Sequence, residues 1–141
     1  MDRKGSAVWE GNLREGKGNL STESGVLAAV PYSFTSRFEH GAGSNPEELI
    51  GAAHAGCFSM AFSGQLAAAK FTAERIATTA TVTVEKVDGG FGITHVQLEM
   101  EAKIPGIDQA TFDLLAGNAK AGCPVSKVLN AKIELRAKLV P

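Results

Sequence analysis

An excess of charge of either sign is the first thing this chain lacks. Its 14 lysines and arginines stand against 15 aspartates and glutamates, interspersed along the sequence. No field is available to gather nucleic acid or an anionic membrane, so neither partner is expected. Cysteine is scarce as well: Cys57 and Cys123 are the only two in 141 residues. That excludes a disulfide-dense scaffold, and a chain of this length buries enough surface to fold without staples. The residues before Trp9 lack the apolar run and small-residue cleavage site of a secretory signal, which makes the cytoplasm the expected compartment. Thiols are kept reduced there. A cysteine pair then reads as catalytic, redox-active or metal-bound before it reads as a permanent bridge.

A segment suited to crossing a membrane is also missing, although one stretch comes near it. Leu49 to Ala69 is 21 residues without Lys, Arg, Asp or Glu, but 13 of them are Gly, Ala, Ser or Cys, and His54 and Gln65 would face lipid. The composition predicts a central helix buried by its own fold or by a second subunit. Its start is written clearly: Asn45 caps, Pro46 fits the first helical position, Glu47 and Glu48 favour the positive end of the dipole, and Glu48 sits at the capping-box position. The row Ile50, Ala53, Cys57, Met60, Gly64 and Ala67 is expected to form its apolar seam.

Around this helix the pattern is mostly of period two. Turn signals at Gly11-Asn12 and Gly16-Lys17-Gly18 predict an N-terminal meander, followed by an extended stretch over Val26 to Phe38 and a glycine-rich loop at Gly41 to Ser44. After the helix, Thr79 to Val84 alternates and Asp88-Gly89-Gly90 offers a hairpin turn. In the returning strand Val96, Leu98, Met100, Ala102 and Ile104 share one face. Two short helices come next, the first with Phe112, Leu115, Ala116 and Ala119 inward and the second opening at Cys123-Pro124 with Val125, Val128 and Leu129 inward. A final strand alternates through Ile133, Leu135, Ala137 and Leu139. The expectation is a single α+β domain over residues 1–141 with a mainly antiparallel sheet.

Within that frame the two cysteines differ. Cys57, on the helical seam, has the ordinary reading of a small core hydrophobe. Cys123 precedes Pro124 at a helix start, where backbone N–H groups favour a thiolate and where Ser or Asp would cap better. A permanent Cys57–Cys123 bridge would stabilise by about 4 kcal/mol in the chain-entropy picture, but the expected compartment disfavours it. A metal site lacks ligands, since only His40, His54 and His95 accompany the cysteines and no Cys-x-x-Cys or His-Glu-x-x-His motif is present. The glycine loop lacks the lysine of a phosphate-binding loop. A reactive Cys57 needs a cation, because an apolar site raises a thiol's pKa. Arg37 can supply one, with Glu47 ten positions later holding the guanidinium in bidentate geometry; the ordinary alternative is that both are surface charges.

At this point the residues resemble a known family. Asn45-Pro46-Glu47-Glu48-Leu49-Ile50-Gly51-Ala52-Ala53-His54-Ala55-Gly56-Cys57-Phe58-Ser59-Met60 is similar to the signature helix of the OsmC/Ohr proteins, the osmotically inducible and organic hydroperoxide resistance peroxidases. Ala119-Lys120-Ala121-Gly122-Cys123-Pro124-Val125-Ser126 resembles the family's second cysteine motif, and Thr35-Ser36-Arg37-Phe38-Glu39 is like the OsmC branch in particular. The resemblance extends over almost the whole chain. It implies an OsmC-like fold, an intertwined homodimer with active sites at the subunit interface, Cys57 as the peroxidatic cysteine, Cys123 as the resolving one, and Arg37 and Glu47 as the activating pair. It also implies no bound cofactor and recycling by an external, lipoyl-type dithiol.

The function expected on that basis is a thiol peroxidase that reduces organic hydroperoxides in preference to hydrogen peroxide. The Cys57 thiolate attacks the O–O bond, a sulfenic acid forms, and Cys123 condenses with it to a disulfide. Two other classes fit the same cysteines: a redox sensor that reacts once without turning over, and a structural protein whose thiols are inert.

Overall fold

The computed structural model describes residues 1–141 and divides the chain into two compact units, Met1–Leu49 and Ile50–Pro141. In the first, β1 (Gly5–Glu10), β2 (Lys17–Thr22) and β3 (Val30–Ser33) form an antiparallel sheet in that order. Gly18 is required at its centre: a Cβ there would collide with the Val8 carbonyl and the Tyr32 ring, and its absence lets Trp9 and Tyr32 approach to 5.3 Å between ring centroids. The meander expected from the turn signals is present.

The expected extended stretch stops earlier than the sequence pattern suggests. Residues Phe34–Phe38 form a short helix, α1, instead of continuing the strand. Its cause is local. Ser33 caps it by accepting from the Ser36 N–H at 3.1 Å, and the Ser36 hydroxyl accepts from the Ser33 N–H at 2.8 Å, a reciprocal capping box that outweighs the β preference of the flanking aromatics. The helix α2 then runs from Pro46 to Ala68, and its last residues before the unit boundary carry Glu47 and Glu48.

The second unit contains most of α2, then β4 (Arg75–Val87), β5 (Gly90–Lys103), α3 (Gln109–Gly122), α4 (Pro124–Val128) and β6 (Lys132–Val140). Its sheet has the order β4-β5-β6, with β4 and β5 joined antiparallel through the tight Asp88-Gly89 turn. β6 lies parallel to β5, so this sheet is mixed, and the two helices between them supply the crossover that a parallel pair needs. The α+β class holds, with two three-stranded sheets.

The core of this unit is layered between α2, α3 and β5. Val96, Leu98, Met100, Ala102 and Ile104 are buried on one face of β5, and Phe112, Leu115, Ala116 and Ala119 on one face of α3, as the periodicities predict. Gln97, Glu99, Glu101 and Lys103 alternate onto the other face of β5, where Glu99 and Glu101 meet Arg136 and Lys138 directly across the strands. Val128, expected inward, is exposed.

The seam of α2 is shifted from its expected row. The buried residues are Gly51, His54, Phe58, Phe62 and Leu66, whereas Ala53, Met60, Gly64 and Ala67 face outward, with Met60 78% exposed. The large side chains decide the phase, because burial gain follows apolar area and alanine or glycine contributes little of it. Gly51 lets α2 approach β4: a Cβ there would sit 2.9 Å from the Ala80 carbonyl oxygen. No helix is long and apolar enough to cross a membrane.

Phe62 is fully buried, edge-on to Phe112 at 5.6 Å and stacked on Phe58 at 6.3 Å. Phe62→Ala should cost about 3–5 kcal/mol in urea unfolding, and the exposed Leu114→Ala less than about 0.5 kcal/mol. Equal losses would place the core elsewhere.

Candidate functional site

In Met1–Leu49, Arg37 ends α1 and Glu47 begins α2. Arg37 Nη2 donates to Glu47 Oε1 at 2.8 Å, and Nε donates to Oε1 and Oε2 at 3.1 and 3.3 Å. Side-on donation of this kind fixes the plane of the guanidinium as well as its place. Glu47 is buried while the Arg37 side chain keeps 37% of its exposure. The Phe38 ring lies 5.0 Å from Arg37 Cζ and covers one side of the cation.

The loop before α2 sets this geometry. Asn45 Oδ1 accepts from the Glu48 N–H at 2.8 Å, so Asn45 is the cap, and the Ser36 hydroxyl donates to the Ser44 carbonyl at 2.8 Å, tying α1 to the loop. Glu48 does not close a capping box as expected; its carboxylate accepts from the Ser44 hydroxyl at 2.6 Å. That leaves Glu47 as the carboxylate facing Arg37. Beside the pair, Trp9, Tyr32, Phe34, Arg37 and Phe38 help line an apolar cleft of about 280 Å³. Sequence reading missed this cleft, because its aromatic residues come from β1, β3 and α1 and share no local spacing.

In Ile50–Pro141, Cys57 projects from α2 and Cys123 stands between α3 and α4. Both are free, and their sulfurs are 2.8 Å apart. A disulfide bond measures about 2.05 Å, so the two are within a small displacement of bonding. Cys123 ends one helix and starts the next: its N–H donates to the Ala119 carbonyl at 2.9 Å and its own carbonyl accepts from the Lys127 N–H at 3.1 Å. Pro124 at the first position of α4 makes the break obligatory.

The two thiols are pushed in opposite directions. Burial raises the Cys57 pKa, and its hydrogen bond with Cys123 raises it further, against a smaller lowering from the Val125 backbone. Burial also acts to raise Cys123. It is outweighed there by the hydrogen bond with Cys57 and by the backbone N–H and hydroxyl of Ser126, with the Val125 backbone adding to them, so the net direction is downward. The two thiols share one hydrogen bond and titrate as a pair.

His54, one turn before Cys57, is fully buried, and its Nε2 lies 2.7 Å from Ser126 Oγ. Nδ1 is buried with no hydrogen-bond partner. Ser126 was not singled out in the sequence; the available signal was its place one turn after Cys123 in Cys-Pro-Val-Ser, where a side chain at the third helical position turns back toward the capping residue.

Comparison with known proteins bears on the family and the fold. Residues 39–138 match the family described as OsmC-like protein. The chain is 58% identical over 139 residues to the peroxiredoxin OsmC of Escherichia coli (strain K12), covering 99% of this chain and 97% of that protein. It is 31% identical over 100 residues to the organic hydroperoxide resistance protein of Xanthomonas axonopodis pv. citri, covering 70% and 68%. Among solved structures, an OsmC-like protein from Mycoplasma pneumoniae superposes with a TM-score of 0.75 at 17% identity, over 100% of this chain and 99% of that one, a likeness of fold.

Burial lowers the pKa of His54 below its ordinary value. A depressed folded-state pKa means that the unfolded chain binds a proton at a higher pH than the native one. The contribution of neutral His54 is thus complete above about pH 6.5 and is lost as pH falls toward the folded value. Urea midpoints measured from pH 7.5 down to 5 should fall, and His54→Gln should flatten that slope. The same slope in both proteins would show that His54 does not cause it.

Proposed function

The chain belongs to the OsmC-like protein family, and from that membership we propose that it is a cysteine-based peroxidase acting on organic hydroperoxides. The observation that carries the reading is the pair of reduced sulfurs, 2.8 Å apart, one half-buried on α2 and one buried at a helix break. An inert core has no need of such a pair.

In this reading the Cys57 thiolate attacks the O–O bond of the hydroperoxide. One oxygen bonds to sulfur, and the other leaves with the alkyl group and takes up a proton as the alcohol. Cys123 then attacks the sulfenic sulfur, water departs and the disulfide forms. An external dithiol, of lipoyl type, returns two electrons. No bound cofactor takes part, and the cytoplasm is the compartment that keeps such dithiols reduced.

Charge is the remaining requirement. Burial holds the Cys57 thiol's pKa up, so a cation has to favour the thiolate at Cys57 for that sulfur to attack. Arg37 takes that part, and Glu47 holds its guanidinium in one orientation. The apolar cleft beside Arg37 suits the alkyl portion of an organic hydroperoxide and gives hydrogen peroxide nothing to bury.

A homodimer completes the reading. Ala52, Ala53, Gly56, Met60, Ser63, Gly64 and Ala67 form an exposed, uncharged face along α2, an unusual surface for a chain to leave in water. Sedimentation should return twice the chain mass, and Gly56→Arg should halve it. A monomeric wild-type protein would remove the dimer.

The peroxidase is tested with cumene hydroperoxide and excess dithiol. Cys57→Ser should abolish consumption; Cys123→Ser should consume one equivalent and then recycle poorly. Arg37→Ala should move thiol alkylation of Cys57 to higher pH. Full turnover by Cys57→Ser would refute the assignment, and a wild-type protein that stops after one equivalent would be a sensor.

A further inference from the structure

His54 and Cys57 stand one turn apart on α2, and Cys123 and Ser126 stand one turn apart across the start of α4. The two pairs meet as two rungs. His54 Nε2 lies 2.7 Å from Ser126 Oγ, and Cys123 Sγ lies 2.8 Å from Cys57 Sγ. His54 is fully buried and its Nδ1 has no hydrogen-bond partner, so the ring is satisfied through Ser126. The tautomer follows. A neutral imidazole has a single N–H, and on Nδ1 it would be a buried orphan donor, which folded chains tolerate less than a bare lone pair. Nε2 therefore donates to the Ser126 hydroxyl oxygen.

The sulfur rung cannot hold itself. Between reduced cysteines it is a thiol hydrogen bond, and the S–H group is a weak donor. Core packing holds it only in part. α3 places the N–H of Cys123, which donates to the Ala119 carbonyl, but rotation about the N–Cα bond carries Cβ and the carbonyl carbon together. The sulfur is aimed only once α4 is in place. Yet α4 has no buried residue: Val128 is exposed, and Val125 reaches the core only in part. The polar rung supplies what the packing lacks.

We propose that His54 and Ser126 are positioning residues: their hydrogen bond clamps the first turn of α4 onto α2 and holds Cys123 within bonding reach of Cys57 while no covalent bond joins the sulfurs. The place of this clamp in a working cycle rests on the peroxidase reading. In that cycle Cys123 attacks the sulfenic sulfur of Cys57, the S–S bond forms as the S–O bond breaks, and the oxygen leaves with a proton as water. Cys57 is reduced in that step and Cys123 oxidised. Neither His54 nor Ser126 exchanges an atom or a proton in it. Their part is to keep the two sulfurs oriented, and intramolecular reactions depend steeply on that.

The clamp is tested without peroxide by equilibrating the full chain with reduced and oxidised glutathione. The two protein thiols give up two electrons, one oxidised glutathione becomes two reduced ones, and the ratio of disulfide to dithiol reports the effective concentration of one sulfur at the other. Ser126→Ala should lower that effective concentration about tenfold, the worth of one hydrogen bond. Ser126→Thr, which keeps the hydroxyl, should restore it. His54→Leu, which fills the buried site without a donor, should match Ser126→Ala, and the double variant should lose no more than either alone, because both remove the same bond. With cumene hydroperoxide and dimedone present together, Ser126→Ala should also carry about tenfold more dimedone on Cys57 than the wild type, since the sulfenic acid waits longer for Cys123. An effective concentration unmoved by Ser126→Ala, a threonine that does not rescue, or losses that multiply in the double variant would overturn the clamp. A chain that follows the glutathione expectations and consumes no hydroperoxide would refute the peroxidase and support the clamp.

Discussion

The helix break at Cys123 is the constraint on which the sulfur chemistry depends. Cys123 closes α3 through its N–H and opens α4 through its carbonyl, so its backbone is held from both sides. Pro124 prevents the two helices from merging, since it has no N–H to continue the ladder. α3 is fixed in turn by Phe112, Leu115, Ala116 and Ala119, which bury their side chains against α2 and β5. The position of one sulfur relative to the other is therefore an outcome of core packing. A reactive pair placed on loops would have to be ordered anew in each cycle, at an entropic cost.

Legibility in the sequence followed the size of the side chains. β5 and α3 were readable because large apolar residues alternate with charged ones, and their periods survive folding unchanged. The Asp88-Gly89 turn was readable because a two-residue hairpin needs positive φ, which Gly89 supplies at 89°. α2 was readable as a helix but not in phase: a run of alanine, glycine and serine carries almost no hydrophobic contrast, and Phe58, Phe62 and Leu66 set its rotation. α1 is too short for any period to show, and only the Ser33-x-x-Ser36 cap announced it.

The site divides in the same way. Cys123 announced itself by its cap position, and the pairing of Arg37 with Glu47 over Glu48 follows from Asn45 being the cap, which turns the first two carboxylates of α2 in different directions. Ser126 was not legible, because a serine at that position has a capping role of its own that conceals any other. His54 is fully buried, which its place among small residues in the sequence did not announce. The hydrogen bond to Ser126 spans 72 positions and leaves no trace in local spacing.

Charge placement connects the two halves of the chemistry. Arg37 presents Nε and Nη2 to Glu47 and one face to Phe38. Two of its five hydrogens are thereby directed, and those of Nη1 remain for an anion. A guanidinium held on one edge by a buried carboxylate cannot swing away to water, so its charge acts in a single direction. The proposed attack by Cys57 needs a cation of that kind. Burial and the hydrogen bond with Cys123 both hold the Cys57 thiol's pKa up, which disfavours attack by that sulfur unless positive charge is supplied. A cation fixed on one edge meets that demand without reorganisation, which is what the Arg37–Glu47 pair would bring to the proposed cycle.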